Sequence, residues 1–335
     1  MESTGPEGGP RRRGIVIADV SIILLTKNGA RYLEAVLTAI FSQRTSRRVE
    51  VIAIDSGSTD GTVGILRRFP VSLRQIPPEQ FNHGGTRNLG ASLAEGPFLI
   101  FLSQDAEPAN DRWLDHLVSP LEENTEVAGV YPGFLPRPGC HPMEQREILD
   151  WPLVSAEIGV PLVKWAVGNP DYAANPWPYI HFPNTCSCIR RSVWAKCPFK
   201  PVNFAEDQEW AKRVLEAGYA TVFNPKAVIF HSHSYPARVQ FHRCYDHGSA
   251  MRELFGKREV PLFRKIVPAA IRDVTLDMAF CKRRGYSALS RLRWMGPAMA
   301  WHLAKYAGLW MGTHSDRLPF SLRKRLSLQQ RLIEA

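Results

Sequence analysis

The sequence predicts an α/β fold with a mostly parallel sheet flanked by helices, followed by a helical C-terminal extension. Short apolar runs alternate with segments whose apolar residues recur at helical spacing, and this alternation favours parallel strands with right-handed crossovers. Asp55 and Asp105 each follow such an apolar run, at the strand ends where open α/β sheets bind ligands. Beyond Tyr235 the chain is basic and helical in pattern.

Each predicted element depends on the spacing of its apolar residues and on the turn or capping residues beside it. Thr59 or Asp60 can cap the second helix, and Gly218 stands where a longer helix would end. The elements predicted before Tyr235 are strand Val20–Thr26, helix 30–43, strand Val49–Asp55, helix 62–69, strand 71–76, helix 88–94, strand 98–102, strand 186–189, helix 191–195, helix 206–217 and strands 221–223 and 227–230.

Residues 132–183 differ from the rest because they are rich in proline and lack periodic runs. We expect a loop-rich insert over the strand ends, of the kind that binds a substrate or closes as a lid. Residues 1–18, which are rich in glycine, proline and charge, are expected to form a flexible lead.

Charge is distributed unevenly along the 335 residues, which carry a formal net charge of +10. Residues 238–335 contain 19 Lys and Arg against 7 Asp and Glu, so this tail is strongly basic and the front is nearly neutral. Such a tail suits an anionic surface, either nucleic acid or a membrane. No zinc-finger spacing, RNP-like motif or helix-turn-helix accompanies it, so no nucleic-acid partner is expected.

Six cysteines without a CxxC pair indicate reduced thiols and a cytoplasmic protein. Arg11–Arg13 precede an apolar run as in a signal peptide, but Asp19 interrupts that run and no small-residue cleavage site follows. We therefore expect no cleaved signal.

The polar residues at the strand ends are candidates for a nucleotide site. Asp55 can accept the imide N–H of uracil or thymine, or it can simply cap the next helix. Gln104–Asp105 can hold a divalent cation that stabilises a departing diphosphate, and Arg87 can contact phosphate from a glycine-containing segment that allows close backbone approach.

Two later motifs complete the candidate site. Glu206 and Asp207 open a helix, where the helix dipole favours ionised carboxylates, and one of them can take a proton from a hydroxyl. His231-Ser232-His233 follows a strand and can provide a metal ligand, a phosphate contact or a surface turn.

Taken in order, these motifs resemble the inverting family 2 glycosyltransferases, which have the glycosyltransferase-A fold with a Rossmann-like sheet. The resemblance covers roughly residues 19–235 and rests on VSIILLTKN, IDSGSTDGT, TRNLGASLAEGPFLIFLSQDA, CIRRSVW, FAEDQEWAKRVLEAGY and PKAVIFHSH. FNHGGTRN together with SQDA and HSHSY is most similar to bacterial L-rhamnosyltransferases of surface-polysaccharide assembly.

This resemblance implies a role for each candidate residue. Asp207 would be the general base, with Glu206 and Trp210 at the acceptor. Asp105, with His231 as a further ligand, would hold Mg²⁺ or Mn²⁺. The nucleotide-sugar contacts would be Thr26, Asp55, Arg87, Gln104 and Asp105.

The family's usual DxD reads Ser103-Gln104-Asp105 here, which leaves one carboxylate for the metal. The QxxRW motif of processive synthases is absent, which implies that one sugar is transferred per event.

The tail leaves two interpretations open. Residues 285–313 are apolar with a thin polar stripe and are too interrupted by charge and Pro297 to span a membrane. They can dock at a membrane surface, with Trp294, Trp301 and Trp310 at the headgroups. The same pattern suits a helix that covers the catalytic domain or forms a homodimer contact.

The sequence therefore predicts a catalytic domain at 19–235, with 132–183 as its acceptor region, and a basic helical region at 236–335. We expect transfer of L-rhamnose from dTDP-L-rhamnose to a saccharide or lipid-linked acceptor. The alternatives are another sugar from a UDP, dTDP or GDP donor, and a nucleotide-sugar-binding protein without turnover, which Gln104 alone favours. A nucleotidyltransferase would need a basic glycine-rich loop after the first strand, where VSIILLTKNGARY offers one glycine.

Overall fold

The computed structural model describes residues 18–202 and 204–328. Residues 1–17 lie outside the described residues. They include nearly all of the predicted flexible lead and Arg11–Arg13, where no cleaved signal is expected. One nine-stranded sheet is flanked by helices and followed by a helical region. The strands are β1 Val20–Thr26, β2 Val49–Asp55, β3 Ser72–Gln75, β4 Phe98–Ser103, β5 Glu107–Pro108, β6 Val127–Leu135, β7 Leu162–Lys164, β8 Cys186–Arg190 and β9 Ala220–Phe230.

Helices connect the strands and form the whole C-terminal region, with short 3₁₀ turns at Pro78–Gln80, Phe263–Lys265 and Ser315–Arg317. The helices are α1 Ala30–Phe41, α2 Thr62–Leu66, α3 His83–Leu93, α4 Trp113–Glu123, α5 Pro142–Leu149, α6 Pro170–Ala174, α7 Trp177–Ile180, α8 Arg191–Lys196, α9 Glu206–Glu216, α10 Ala237–Phe255, α11 Ile266–Arg283, α12 Ala288–Thr313 and α13 Phe320–Leu326.

The sheet has the strand order β3-β2-β1-β4-β8-β6-β9-β5, and β7 pairs with β9. β1 to β4, β6 and β9 run in one direction, because each pairs in parallel with another or lies across the antiparallel β8. The predicted, mostly parallel α/β sheet is therefore confirmed. Its consequence is that β1, β2, β4 and β9 all end at the same edge.

Alternating side chains bury both faces of the sheet. In β4, Ile100 and Leu102 join one core cluster, while Leu99 and Phe101 join the cluster on the other face. All four are at most 1% exposed. Central strands that are buried on both faces have continuous apolar runs in their sequences, and these runs allowed their positions to be predicted.

Several element boundaries differ from the predicted ones. α3 begins at His83, because Asn82 caps it by accepting a hydrogen bond from the Gly85 N–H over 2.9 Å. A Cβ on Gly84 would lie 2.0 Å from the Lys200 carbonyl oxygen. The close backbone approach that this glycine allows is therefore to another segment of the same chain. The two strands expected at 221–223 and 227–230 are one strand, β9, whose pairing with β6 shifts register beside Pro132.

The C-terminal helices pack on one another through glycines. A Cβ on Gly308 of α12 would lie 2.3 Å from the Phe241 carbonyl oxygen of α10, and one on Gly312 would lie 2.2 Å from that of Tyr245. Trp301 is 3% exposed, so its predicted place at lipid headgroups is wrong. The second half of α12 is thus a packing element.

All six cysteines are free, as predicted. Within residues 18–202 and 204–328, no helix is both long enough and apolar enough to cross a membrane.

Candidate active site

A cleft of about 330 Å³ opens at the edge where β4 and β9 end. Asp105 follows β4, His231 follows β9, and Asp207 stands in the first turn of α9, and all three line this cleft. The motifs that the sequence placed far apart are therefore brought together, because parallel strands end at a shared edge.

Asp105, His231 and His233 form a potential metal site, here called the triad. The Nε2 atom of His231 lies 3.7 Å from Asp105 Oδ1, and that of His233 lies 3.4 Å from Asp105 Oδ2. The two Nε2 atoms are 3.1 Å apart, and all three ligand atoms lie within 4.8 Å of one another. This spacing suits a single cation.

The electrostatics of the triad favour metal binding. Burial lowers the pKa of His231, and burial together with the neighbouring His231 lowers the pKa of His233 to about 3. Both imidazoles are thus neutral near pH 7 and can offer a lone pair. Two imidazole nitrogens and one carboxylate suit a divalent transition cation such as Mn²⁺, so the donor set fits the cofactor.

Backbone contacts hold the histidine segment in place. The His233 N–H donates to Glu144 Oε1 over 2.7 Å, and the Ser232 hydroxyl accepts a hydrogen bond from the Arg137 N–H over 3.0 Å. Of the two histidines, only His231 was predicted as a metal ligand. The spacing of two in HSH could have included His233, because alternate residues of an extended segment share a face.

The Gln104 side chain is hydrogen-bonded to the backbone of Lys27. Its Oε1 accepts a hydrogen bond from the Lys27 N–H over 2.8 Å, and its Nε2 donates to the Lys27 carbonyl over 2.9 Å. Gln104 therefore has a structural role, and its predicted contact with the nucleotide stays a prediction. It clamps the turn after β1, close to Gly29, where a Cβ would lie 2.2 Å from its Oε1.

Glu206 is tied to Arg87 at the start of α9. Arg87 Nη1 lies 2.9 Å from Glu206 Oε1, and the two side chains are 7% and 6% exposed. Burial alone would raise the pKa of Glu206, but Arg87 outweighs it with help from His83, and the pKa lies below its usual value. Because Arg87 is already engaged, its predicted phosphate contact requires this ion pair to open and stays a prediction.

Asp207 is the carboxyl whose environment suits proton transfer. Its Oδ2 accepts a hydrogen bond from the Asn184 N–H over 3.1 Å, and its Oδ1 accepts one from the Gln208 N–H over 2.7 Å. Burial and then the adjacent charge of Glu206 raise the pKa of Asp207 to about 7. A base with this pKa is matched to reactions near neutral pH.

Asn184 connects these groups and was not predicted. Besides its N–H on Asp207, its carbonyl accepts from Arg87 over 3.2 Å and its Nδ2 donates to Glu206 over 3.3 Å. It lies in an aperiodic segment before β8, where sequence spacing gives no signal.

Ala205, which precedes α9, has a φ of 60°, an uncommon backbone conformation for a residue with a side chain.

Thr26 and Asp55 meet at the ends of β1 and β2, where they pair in register. Thr26 Oγ1 donates to Asp55 Oδ2 over 2.9 Å, and the other acceptor bonds of Asp55 come from Gly57 and Ser58. Asp55 is fully buried. These contacts hold the turn after β2 and do not reach α2, whose N-cap is Gly61, so the expectation that Asp55 caps the next helix is wrong. Base recognition by Thr26 and Asp55 stays a prediction.

Trp210 does not line the cleft, so the predicted acceptor contact is wrong. Its side chain is fully buried, and its Nε1 donates to the Cys197 carbonyl over 2.9 Å. The ring packs 5.1 Å from Phe182 and 5.9 Å from Phe199. Since Trp210 lies one helical turn after Glu206, it follows the face of α9 that enters the core.

A second, wider cavity of about 740 Å³ adjoins the cleft and shares His231, His233 and Arg243 among its lining residues. Its other walls come from α5 with the segment after it and from α11 and α12. Trp151 lines it, is 43% exposed and packs 4.5 Å from the His181 ring. The contribution of the C-terminal helices to this cavity had no signal in the sequence.

The chain is similar to known proteins in sequence and in fold. A family model described as glycosyl transferase family 2 matches residues 21–193. The chain is 28% identical over 297 residues to the O-antigen chain rhamnosyltransferase WbaN of Salmonella anatum, covering 86% of this chain and 87% of the relative. It is 27% identical over 319 residues to the O-antigen chain rhamnosyltransferase RfbN of Salmonella typhimurium, covering 92% and 94%.

Among solved structures, the fold is similar to that of the mannosyltransferase PcManGT from Pyrobaculum calidifontis, determined in complex with GDP-Man and Mn²⁺. The TM-score is 0.58 at 18% identity, over 91% of this chain and 89% of the other. It is also similar to residues 1–349 of TarS from S. aureus, with a TM-score of 0.52 at 14% identity, over 89% and 91%.

Proposed function

The chain belongs to glycosyl transferase family 2, with the glycosyltransferase-A fold, and on that basis we propose that it transfers L-rhamnose from dTDP-L-rhamnose with inversion. The acceptor in this proposal is a hydroxyl of a saccharide or lipid-linked saccharide in cell-surface polysaccharide synthesis. The two O-antigen rhamnosyltransferases that match most of the chain support this choice of sugar and pathway class. Another sugar from a UDP, dTDP or GDP donor is the alternative.

One observation carries the proposal: a carboxyl with a pKa near 7, Asp207, lines the same cleft as the Asp105–His231–His233 triad. Asp207 takes the proton of the acceptor hydroxyl while that oxygen forms a bond to the anomeric carbon of the sugar. The bond from the anomeric carbon to the diphosphate breaks, and nucleoside diphosphate leaves. Attack on the face opposite the leaving group inverts the anomeric configuration.

The triad residues would hold Mg²⁺ or Mn²⁺, which when bound supplies positive charge next to the diphosphate. The imidazole nitrogens of His231 and His233 favour Mn²⁺, because Mg²⁺ prefers oxygen ligands. Gln104, which alone favoured a binding protein without turnover, is explained by its clamp on Lys27.

The wider cavity is the proposed place for the acceptor. It joins the cleft at the triad, so a saccharide lying in it can present a hydroxyl toward Asp207. Trp151 offers an exposed aromatic face for a sugar ring, which supports the expectation that residues 132–183 bind the acceptor. We retain the division into a catalytic domain at 19–235 and a helical region at 236–335 as part of this proposal.

The proposal also includes peripheral attachment to the cytoplasmic face of a membrane, where a lipid-linked acceptor would be found. Exposed apolar residues near the start of α12, Leu289 at 69% and Leu292 at 65%, support it, as does the basic tail. A homodimer contact remains an untested expectation.

The direct test incubates the purified protein with dTDP-, UDP- and GDP-sugars, a saccharide acceptor and Mg²⁺ or Mn²⁺. Release of nucleoside diphosphate and of glycosylated acceptor should be highest with dTDP-L-rhamnose. Preference for another donor would replace the sugar in the proposal, and binding of every donor without any turnover would contradict it.

A further inference from the structure

The cleft contains an arginine that is not ion-paired with a carboxylate. Of the two arginines that line it, Arg87 is ion-paired with Glu206 at 2.9 Å. Arg243, on α10, is exposed and forms no ion pair with any residue in the described ranges 18–202 and 204–328. An exposed guanidinium at the wall of a substrate cleft is available for an anionic ligand.

Ring contacts place Arg243 beside the triad. Its guanidinium carbon lies 5.5 Å from the centre of the Tyr235 ring. Tyr235 in turn stacks on His233 with ring centroids 4.6 Å apart and an angle of 10° between the planes. His233 is 3.4 Å from Asp105, so Arg243 is separated from the metal ligands by one aromatic layer.

We propose that Arg243 binds the diphosphate of the nucleotide sugar and neutralises the charge of the departing nucleoside diphosphate. This role rests on the proposed function. The C-terminal helical region would then complete the active site. A planar guanidinium can engage two phosphate oxygens at once, and it would reach the diphosphate from the side of α10 while the triad lies on the sheet edge.

The helix that carries Arg243 is held firmly. The carbonyl oxygens of Phe241 and Tyr245, two residues to either side of it, are the atoms that Gly308 and Gly312 of α12 approach most closely. Tyr245 and Cys244 are buried, while Arg243 is exposed and lines the cleft. A fixed backbone that presents a cation to the cleft is the arrangement that preorganised charge stabilisation requires.

A diphosphate could also come from a lipid-linked acceptor, because Arg243 lines the wider cavity as well. The two sources differ in what they change. A donor contact alters the affinity for nucleoside diphosphate and the kinetics of the donor, whereas an acceptor contact alters only the KM of the acceptor. Because Arg243 lies beside the triad, the diphosphate that it binds is that of the donor.

The test compares Arg243→Gln and Arg243→Lys with Arg238→Gln, an exposed arginine on the same helix that lines neither cavity. Arg243→Gln should lower kcat/KM for the donor by about 10²- to 10³-fold, as removal of one charge-stabilising group commonly does. Its affinity for dTDP should fall while its affinity for thymidine stays unchanged. Arg243→Lys should recover part of both losses, and Arg238→Gln should behave as wild type.

Unchanged donor kinetics and dTDP affinity in Arg243→Gln would overturn the proposal, and so would a rise confined to the KM of the acceptor. Thermal melting of each variant excludes misfolding as the cause of a loss. If the wild type transferred no sugar from any donor, the proposed function would fail, while the comparison of dTDP with thymidine would still decide the role of Arg243.

Discussion

The charge states of a few side chains determine what the cleft can do. Glu206 and Asp207 are neighbours in the same helical turn, yet the first has a lowered pKa and the second a pKa raised to about 7. The difference arises because Arg87 pairs with Glu206, which leaves Asp207 beside a negative charge. Two carboxyls with separated pKa values provide one permanent anion and one group able to exchange a proton.

Asp207→Asn should reduce transfer by about 10²- to 10⁴-fold and leave donor binding nearly intact, because the amide keeps the shape but cannot accept a proton. Wild-type kcat/KM should fall as the pH drops below about 7, where Asp207 becomes protonated. A pH–rate profile of both proteins checks this. If the variant kept near wild-type turnover, the base would lie elsewhere and Glu206 would be the next candidate.

The same substitution should increase stability at high pH. The folded protein holds the Asp207 proton more tightly than the unfolded chain, so the folded state loses stability as pH rises from the unfolded pKa of about 4 through 7. The uncharged amide of the variant carries no such penalty. Melting temperatures at pH 8 should therefore favour the variant, and the difference should shrink toward pH 4.

Asp105→Ala should remove metal binding together with activity, because Gln104 is held on Lys27 and cannot replace the carboxylate. His231→Ala and His233→Ala should weaken both less completely, since each keeps the negatively charged Asp105 carboxylate and one imidazole. Titration with Mn²⁺ by calorimetry measures this without turnover, and His116→Ala, on α4 away from the triad, is the control. Wild-type activity that persists in excess EDTA would show that arginines and His231 stabilise the diphosphate instead.

At the level of strands and helices, the sequence predicted best where burial produces a regular pattern. β1 and β2 match their predicted bounds because both are apolar and lie inside the sheet. α4 and β6 were not predicted, and α3 begins five residues earlier than expected because the cap at Asn82 was not recognised. The Asn82 cap is a local signal that was overlooked, whereas the register shift of β9 beside Pro132 depends on pairing with a strand distant in sequence.

The candidate site followed the same division. Asp105, His231 and Asp207 were predicted because each adjoins a recognisable strand or helix end, and the structure brings them into one cleft. Trp210 was misplaced because the helical face it shares with Glu206 turns into the core. Asn184 and Arg243 were missed since their roles arise from contacts between segments distant in sequence.

The glycine contact between α10 and α12 gives a stability test. Gly308→Ala and Gly312→Ala would each place a Cβ 2.2 to 2.3 Å from a backbone carbonyl oxygen of α10, so the helices must separate. Overpacking of this kind typically costs about 1–3 kcal/mol. Gly296→Ala on the same helix, with no atom within 4 Å of the new Cβ, is the matched control and should change stability by less than about 1 kcal/mol.

Chemical denaturation measures all three variants of α12. Equal effects at Gly308, Gly312 and Gly296 would show that the close packing of α10 on α12 does not contribute to stability. A loss of donor turnover in Gly308→Ala beyond its loss of stability would indicate that the position of α10 matters for the cleft.

Considered as a whole, the molecule carries its charge unevenly along the chain. The cleft lies at the edge of a nearly neutral catalytic region, while residues 238–335 hold 19 Lys and Arg against 7 Asp and Glu. The packing of α12 on α10 accounts for Gly308 and Gly312, and Trp301 is buried among other residues of the chain. Leu289 and Leu292 remain 69% and 65% exposed. Apolar side chains beside basic ones are typical of a helix that lies on an anionic lipid surface.

The full-length protein should therefore float with anionic vesicles at low ionic strength. Each basic residue near such a surface contributes about 1 kcal/mol, which salt screens, so binding should weaken at high ionic strength. Leu289→Gln with Leu292→Gln should reduce the bound fraction without unfolding the protein, because both side chains are exposed. Val160→Gln with Val167→Gln, equally exposed but in the front part of the chain, is the matched control and should bind as wild type. If the full-length protein bound no vesicles at any salt concentration, the exposed start of α12 would have to serve another contact, such as the interface of a dimer.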